Sequence, residues 1–310
     1  MVILYKLRDW ININKLNWYS LSSNPNAIDL LTVNQDKIDW SLLSLNPNAI
    51  QLLEANPDKI DWELLSLNPN AIHLLKKNIH KINWLYLSRN INPNVIHILE
   101  QNPDKIAWYW LSCNPNGISI LENNLDKISW YSLSRNPNAM HLLKANQNKI
   151  CWDYLCYNEN AIELLQENLN NPKGKRIIYW RELSMNSNPI VVSWLEKNQD
   201  KIHWDNLSRN PNAIHLLKEN QDKINWNMLS SNQNLEAIEL LKENPDKINW
   251  IYLSKQKNIF TYDYEKMREN CLLFKEDLMK ERFHPRNLRK FSSWGHSGGI
   301  EDEDEDEDEE

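Results

Sequence analysis

A single tryptophan recurs about every 22 residues along most of this chain. The eleven copies are Trp18, Trp40, Trp62, Trp84, Trp108, Trp130, Trp152, Trp180, Trp204, Trp226 and Trp250. A unit of this length cannot bury its apolar side alone, so successive units must stack on one another. The spacing therefore predicts a tandem-repeat solenoid over residues 1–254, with the tryptophan column as its structural spine.

The third repeat represents the unit, with NPDKIDWELLSL at residues 56–67 followed by NPNAIHLLKK at residues 68–77. Each half opens with Asn-Pro, and asparagine is a favoured N-cap while proline fits the first helical position. Ala71, Leu74 and Leu75 are spaced as on one helical face. The unit is therefore predicted to contain two short helices, and the whole is predicted to be an all-α solenoid of about eleven two-helix repeats.

Helices this short are marginal in isolation, so stacking must stabilise them. A leucine lies three residues after every tryptophan, and a serine follows it in ten copies, with Cys156 in the eleventh. With rows about 8 to 10 Å apart, we expect a rod or gentle superhelix roughly 100 Å long.

A leucine-rich horseshoe is the alternative fold, because its repeat has a similar period. Trp62, Leu65, Asn70 and Ile72 match four of its positions. The sixth position, which must be apolar in a horseshoe, decides against it. That position holds Ser23, Arg89, Arg135, Arg209, Ser231 and Lys255.

The regular pattern breaks in two places. An irregular repeat near residues 165–200 carries the largest insertion, whose basic residues are Lys173, Lys175 and Arg176. After residue 254 the repeat stops, and the pattern of residues 262–283 predicts an amphipathic helix that caps the last repeat, within a C-terminal segment 255–293. Residues 294–310 are predicted to be a flexible linker and a disordered acidic tail.

Charge and composition exclude several classes of function. The tail 301–310 supplies ten acidic groups, and without it the chain has 35 basic and 32 acidic residues. A strongly basic body that tracks phosphates is therefore not expected. The four cysteines form no CxxC pair, and no apolar run is long enough for a signal peptide or a membrane span. We expect a soluble, intracellular protein.

Neither catalytic nor metal-binding motifs stand out. The sequence has no P-loop, GxSxG, HExxH or GxGxxG motif. A histidine column occupies a position that is variable among repeats, which favours an exposed surface site over a metal site. A lysine three residues before ten of the tryptophans is expected either to pair locally at a helix N-terminus or to lay its aliphatic stem over a tryptophan ring. We predict no enzyme, no cofactor and no metal.

NPNAI at 24–28 and 46–50, NPDKIDW at 56–62 and NPDKINW at 244–250 resemble the short Trp- and Asn-rich tandem repeats of giant DNA viruses that infect protists and algae. The resemblance covers about residues 10–254. It implies a repeat or interaction protein to which no catalytic residue is carried over. For a viral chain, the expected location is the host cytoplasm or the virion.

The combined evidence favours a noncatalytic scaffold that binds a protein partner over an extended surface, as a viral adaptor or structural component. The candidate partner contacts are Tyr86, Trp110, Tyr154, Tyr252, Lys173, Lys175 and Arg176. The alternative function is nucleic-acid binding by the basic insert and by Arg286, Arg289 and Lys290, with the acidic tail as a competitor.

Overall fold

A computed structural model describes residues 4–170 and 179–282 of the chain. We number the repeats 1 to 11 by their tryptophans. Each repeat has a first α-helix that begins at its tryptophan, and repeats 1 to 10 have a second α-helix. The first helices are α1 (Trp18–Ser22), α3 (Trp40–Leu45), α5 (Trp62–Leu65), α7 (Trp84–Arg89), α9 (Trp108–Cys113), α11 (Trp130–Leu133), α13 (Trp152–Leu155), α15 (Trp180–Leu183), α17 (Trp204–Arg209), α19 (Trp226–Leu229) and α21 (Trp250–Ser254).

The second helices follow in the same order. They are α2 (Ile28–Thr32), α4 (Ile50–Glu54), α6 (Ile72–Lys77), α8 (Val95–Glu100), α10 (Ile118–Glu122), α12 (Met140–Ala145), α14 (Ile162–Asn170), α16 (Pro189–Lys197), α18 (Ile214–Glu219) and α20 (Leu235–Glu243). The predicted all-α solenoid is confirmed. The leucine-rich horseshoe is not found, because the described residues contain only two short strands, β1 (Tyr5–Leu7) and β2 (Phe260–Tyr262).

A 3₁₀ turn precedes the first helix in most repeats. The described turns of this kind are Ile13–Lys15, Gln35–Lys37, Pro57–Lys59, Ile79–Lys81, Pro103–Lys105, Leu125–Lys127, Gln147–Lys149, Gln199–Lys201, Gln221–Lys223 and Pro245–Lys247. Two further 3₁₀ turns span Pro25–Ala27 and Lys257–Ile259.

Asn188 caps an α-helix as the Asn-Pro pattern predicted, accepting the Ile190 N–H at 2.9 Å, but the asparagine of most other Asn-Pro pairs does not. Asn56 begins a 3₁₀ turn, and its Nδ2 donates to the Leu52 carbonyl 3.0 Å away at the end of the preceding helix. The first helix is instead capped by the residue just before the tryptophan: Asp61 Oδ1 accepts the Leu64 N–H at 3.1 Å. The two helix starts were predicted correctly, but the capping residue was not.

Leucines occupy the centre of the core. The leucine three residues after each tryptophan is 0% exposed in all eleven repeats. The tryptophans themselves are only half-buried and pack against this core from one side. The indole faces of ten of them are covered by lysines of a neighbouring repeat, one of the two roles predicted for the lysine column. Lys59 Nζ, for example, lies 4.2 Å from the centroid of Trp40.

Buried asparagine side chains join consecutive repeats. Asn68, which is 0% exposed, donates from Nδ2 to the carbonyls of Ser44 and Asn46, both at 2.9 Å, while its Oδ1 accepts the N–H of Asn70 at 3.0 Å. Asn70 Nδ2 in turn donates to the Pro47 carbonyl at 2.8 Å. These bonds satisfy backbone carbonyls that would otherwise be buried without partners between repeats.

Repeat 1 makes these same contacts with repeat 11. Asn24 Nδ2 donates to the carbonyls of Ser254 (3.0 Å) and Gln256 (2.8 Å). Asn17 N–H donates to Ser254 Oγ at 2.9 Å, and Lys15 Nζ lies 5.4 Å from the Trp250 ring centroid. Strand β1, which precedes repeat 1, also pairs with strand β2, which follows repeat 11. The array within residues 5–261 is therefore a closed ring.

Ring closure corrects the expectation of an open rod. A solenoid stays open only if the rotation between repeats fails to return the last repeat to the first, and the repeat sequence alone does not set that rotation. Repeat 1 also covers the face of repeat 11 that the sequence analysis assigned to a capping helix. The helix α22 (Tyr264–Arg282) belongs to a second compact part of the chain.

Candidate docking cleft

The first helices lie on the inner side of the ring. Neighbouring first helices approach each other more closely than neighbouring second helices do. In a closed ring, the elements nearer to the axis are the more closely spaced. The positions one, two and five residues after each tryptophan, which are at least partly exposed in most repeats, therefore face the centre of the ring.

Aromatic side chains at these positions form a cluster across repeats 5 to 7. Tyr109 and Trp110 meet edge to face with ring centroids 5.1 Å apart. Tyr109 stacks on Tyr131 at 6.3 Å, and Tyr131 lies 3.8 Å from Tyr154. Tyr157 extends the row, 6.1 Å from Tyr154. Together these contacts form one continuous row of aromatic rings across three consecutive repeats.

Two arginines flank the row. Arg89 Cζ lies 4.9 Å from the Trp110 ring centroid, and Arg135 Cζ lies 5.0 Å from that of Tyr157. A guanidinium stacked on a ring keeps its N–H edges free for other partners. Neither arginine forms an ion pair with any carboxylate in the described part of the chain.

Several of these side chains line a cleft of about 290 Å³. We call it the aromatic cleft. Its lining consists of Arg89, Ile91, Tyr109, Trp110, Cys113, Asn114, Pro115, Ser132, Arg135 and Tyr154. Ile91 replaces the proline of the Asn-Pro pair in repeat 4 and is 61% exposed. The volume is close to the lower end of the roughly 300 to 1,000 Å³ typical of small-molecule sites, which suits one or two side chains of a larger partner.

Three titratable groups in or beside the cleft have raised pKa values, so they stay protonated at neutral pH. Burial raises the pKa of the Cys113 thiol, although Arg89 and Arg135 oppose the shift. The pKa of Tyr131 is raised foremost by its hydrogen bond with Tyr154. Burial raises the pKa of Tyr157, and Glu182 adds to the rise. The cleft therefore presents neutral hydroxyl and thiol groups beside two permanent positive charges, an arrangement suited to binding.

The structure brings together some of the residues singled out by sequence. Trp110 and Tyr154 line the aromatic cleft, whereas Tyr86 in repeat 4 and Tyr252 in repeat 11 are not among the lining residues. Lys173, Lys175 and Arg176 lie outside the described residues, as do Arg286, Arg289, Lys290 and the acidic tail.

Sequence reasoning missed Tyr109, Tyr131, Arg89, Arg135 and Ile91. The available signal was an aromatic residue one or two positions after the tryptophan in each of repeats 5, 6 and 7, with arginine five residues after the tryptophan in repeats 4 and 6.

The histidine column lies on the second helices. Three of its four members pair with a glutamate of the preceding repeat, whereas His97 pairs with Glu100 of its own helix. His73 Nε2 is 2.9 Å from Glu54 Oε1, and His141 and His215 each lie 2.7 Å from the equivalent carboxylates of Glu122 and Glu196. Among residues 4–170 and 179–282, no group of three or more His, Cys, Asp or Glu residues could hold a metal ion.

Comparison of the chain with protein-family models, with curated proteins and with solved structures finds no match. None of the helices described is long and apolar enough to cross a membrane.

Proposed function

We propose that this chain is a noncatalytic ring-shaped scaffold that docks a protein partner in the aromatic cleft. The observation that carries the proposal is the continuous row of aromatic side chains in repeats 5 to 7. Tyr109 and Tyr131 are 47% and 41% exposed while contacting one another. Tyrosine, tryptophan and arginine are the residues most enriched at binding hot spots.

The charge of the inner face supports a protein partner over a nucleic acid. At the three exposed positions of the first helices, five basic side chains are balanced by four acidic ones. The basic residues are Arg89, Arg135, Arg181, Arg209 and Lys255, and the acidic residues are Glu63, Asp153, Glu182 and Asp205. A surface that tracks a phosphate backbone requires a clear excess of positive charge.

The resemblance of the repeats to those of giant viruses is the basis for proposing a viral adaptor or structural component. The intracellular location proposed with it rests on the cysteine pattern.

Site-directed photo-crosslinking tests the docking proposal. A photoreactive phenylalanine analogue at position 131 is compared with one at Asn227, the equivalent position in repeat 10. We expect a discrete cross-linked partner from position 131 only, and we expect Trp110→Ala to abolish it. Equal cross-linking from both positions, or none from position 131, contradicts the proposed function.

A further inference from the structure

We propose that the aromatic cleft recognises a short acidic peptide segment of its partner, whose carboxylates pair with Arg89 and Arg135. This inference rests on the proposed function and names the chemistry of the ligand. Both guanidiniums line one cleft, with Cys113 and Asn114 between them. Each is held by ring stacking, so little side-chain freedom is lost when a carboxylate binds to its free edge.

The residues that line the cleft indicate which other side chains the bound peptide should carry beside its carboxylates. Ile91, Tyr109 and Trp110 provide apolar surface beside the arginines, while Tyr154 and Ser132 provide hydroxyl groups. A peptide with an apolar side chain between two acidic ones satisfies both features. The exposed Ile91 is covered by the apolar side chain, and both arginines obtain counter-charges.

Nearby acidic groups distinguish this ligand from nucleic acid. Asp153 directly precedes Tyr154 of the cleft, and its Oδ1 accepts the Tyr154 N–H at 2.9 Å. Glu182 lies two residues after the tryptophan of the next repeat, repeat 8. These carboxylates limit the positive potential beside the cleft. Two isolated carboxylates are accommodated by two arginines, whereas a continuous phosphate backbone meets repulsion at Asp153 and Glu182.

Fluorescence anisotropy with a defined pair of peptides tests the inference. The probe is a fluorescein-labelled peptide with a central Glu-Phe-Glu sequence, and its control has Gln-Phe-Gln. We expect the full-length protein to bind the glutamate peptide at least tenfold more tightly, because hydrogen bonds to charged groups are the strong ones. Arg89→Gln and Arg135→Gln should each weaken binding of the glutamate peptide about tenfold.

Arg209→Gln is the matched control, since Arg209 occupies the same repeat position in repeat 9 but lies outside the cleft. We expect it to change affinity less than twofold, and circular dichroism of all three variants should match the parent. The inference is overturned if the two peptides bind equally, if neither binds, or if Arg209→Gln weakens binding as much as Arg135→Gln. Tighter binding of an oligothymidine with the same arginine dependence also overturns it.

Failure of this inference is separable from failure of the proposed function. Cross-linking from position 131 does not depend on the charge of the ligand. If position 131 still captures a partner while the arginine variants bind the glutamate peptide like the parent, the scaffold function stands and the acidic ligand is wrong.

Discussion

At the scale of single residues, one buried asparagine per repeat makes hydrogen bonds that fit only its side-chain length. Asn136 donates to the carbonyls of Ser112 (3.0 Å) and Asn114 (2.8 Å), and its Oδ1 accepts the N–H of Asn138 at 3.0 Å. Repeat 11 has Gln256 at this position. Its Nε2 donates to the Ser230 carbonyl at 3.1 Å, but its Oε1 is buried without a hydrogen-bond partner.

Replacing this glutamine with asparagine should stabilise the protein. Gln256→Asn restores the acceptor for the N–H two residues later, and one net hydrogen bond contributes about 0.5 to 1.5 kcal/mol. We expect a higher melting temperature by calorimetry. The reverse change in the middle of the array, Asn136→Gln, should lower it. A Gln256→Asn protein that melts at or below the parent temperature contradicts the proposed pairing.

The serine after the core leucine links repeats in a second way. Ser134 Oγ accepts the N–H of Cys151 at 2.9 Å and donates to the Trp130 carbonyl at 2.8 Å. Cys156 replaces it in repeat 7, and burial raises the pKa of this thiol from 9.0 to about 12.

The raised pKa predicts a pH dependence. Because the folded state holds the Cys156 proton more tightly than the unfolded state, the resulting stabilisation is complete below pH 9 and is lost between pH 9 and 12. We expect the unfolding free energy of the parent to fall more steeply across that range than that of Cys156→Ser. Urea titrations at several pH values measure this difference, and parallel curves for the two proteins would refute it.

At the scale of elements, the sequence indicated how many helices each repeat has but not which residues cap or fill them. The fixed leucine and the helical spacing located both helices. The Asn-Pro pairs were taken for caps because local propensity favours that role. In the structure, the side chain of Asn68, which precedes the second helix, donates a hydrogen bond to the preceding repeat. The first helix is capped by Asp61, the residue just before its tryptophan. Such contacts between repeats are not visible in the pattern of one repeat.

The burial pattern predicts which side chain of a first helix contributes most to the free energy of unfolding. Leu133 is 0% exposed, so Leu133→Ala should cost about 3 to 5 kcal/mol. Lys149 Nζ lies 4.5 Å from the Trp130 ring centroid at a solvent-accessible site, so Lys149→Gln should cost only about 0.5 to 1 kcal/mol. Chemical unfolding of both variants measures the two effects. Comparable losses would mean that the lysine and tryptophan stack, rather than the leucine core, holds the array together.

At the scale of the whole ring, closure converts eleven similar interfaces into a structure without a free end. The predicted length of the open array becomes a circumference of about 90 to 110 Å for rows about 8 to 10 Å apart. The sequence contained the contacts that close the ring, such as Lys15 and Trp250, but they look like every other repeat contact. The aromatic cleft was hard to predict for the same reason, because it depends on how neighbouring repeats converge.

A distance between repeats 1 and 11 tests the closed ring most directly. Spin labels are placed at Ser23 and Lys255, which occupy equivalent positions in the two repeats, after the four native cysteines are replaced by serine. Neighbouring repeats lie about 10 Å apart, so double electron–electron resonance should give a single short distance, below roughly 25 Å once the label linkers are included. An open solenoid would instead separate the labels by roughly 100 Å, and a distance distribution without the short component would contradict the closed ring.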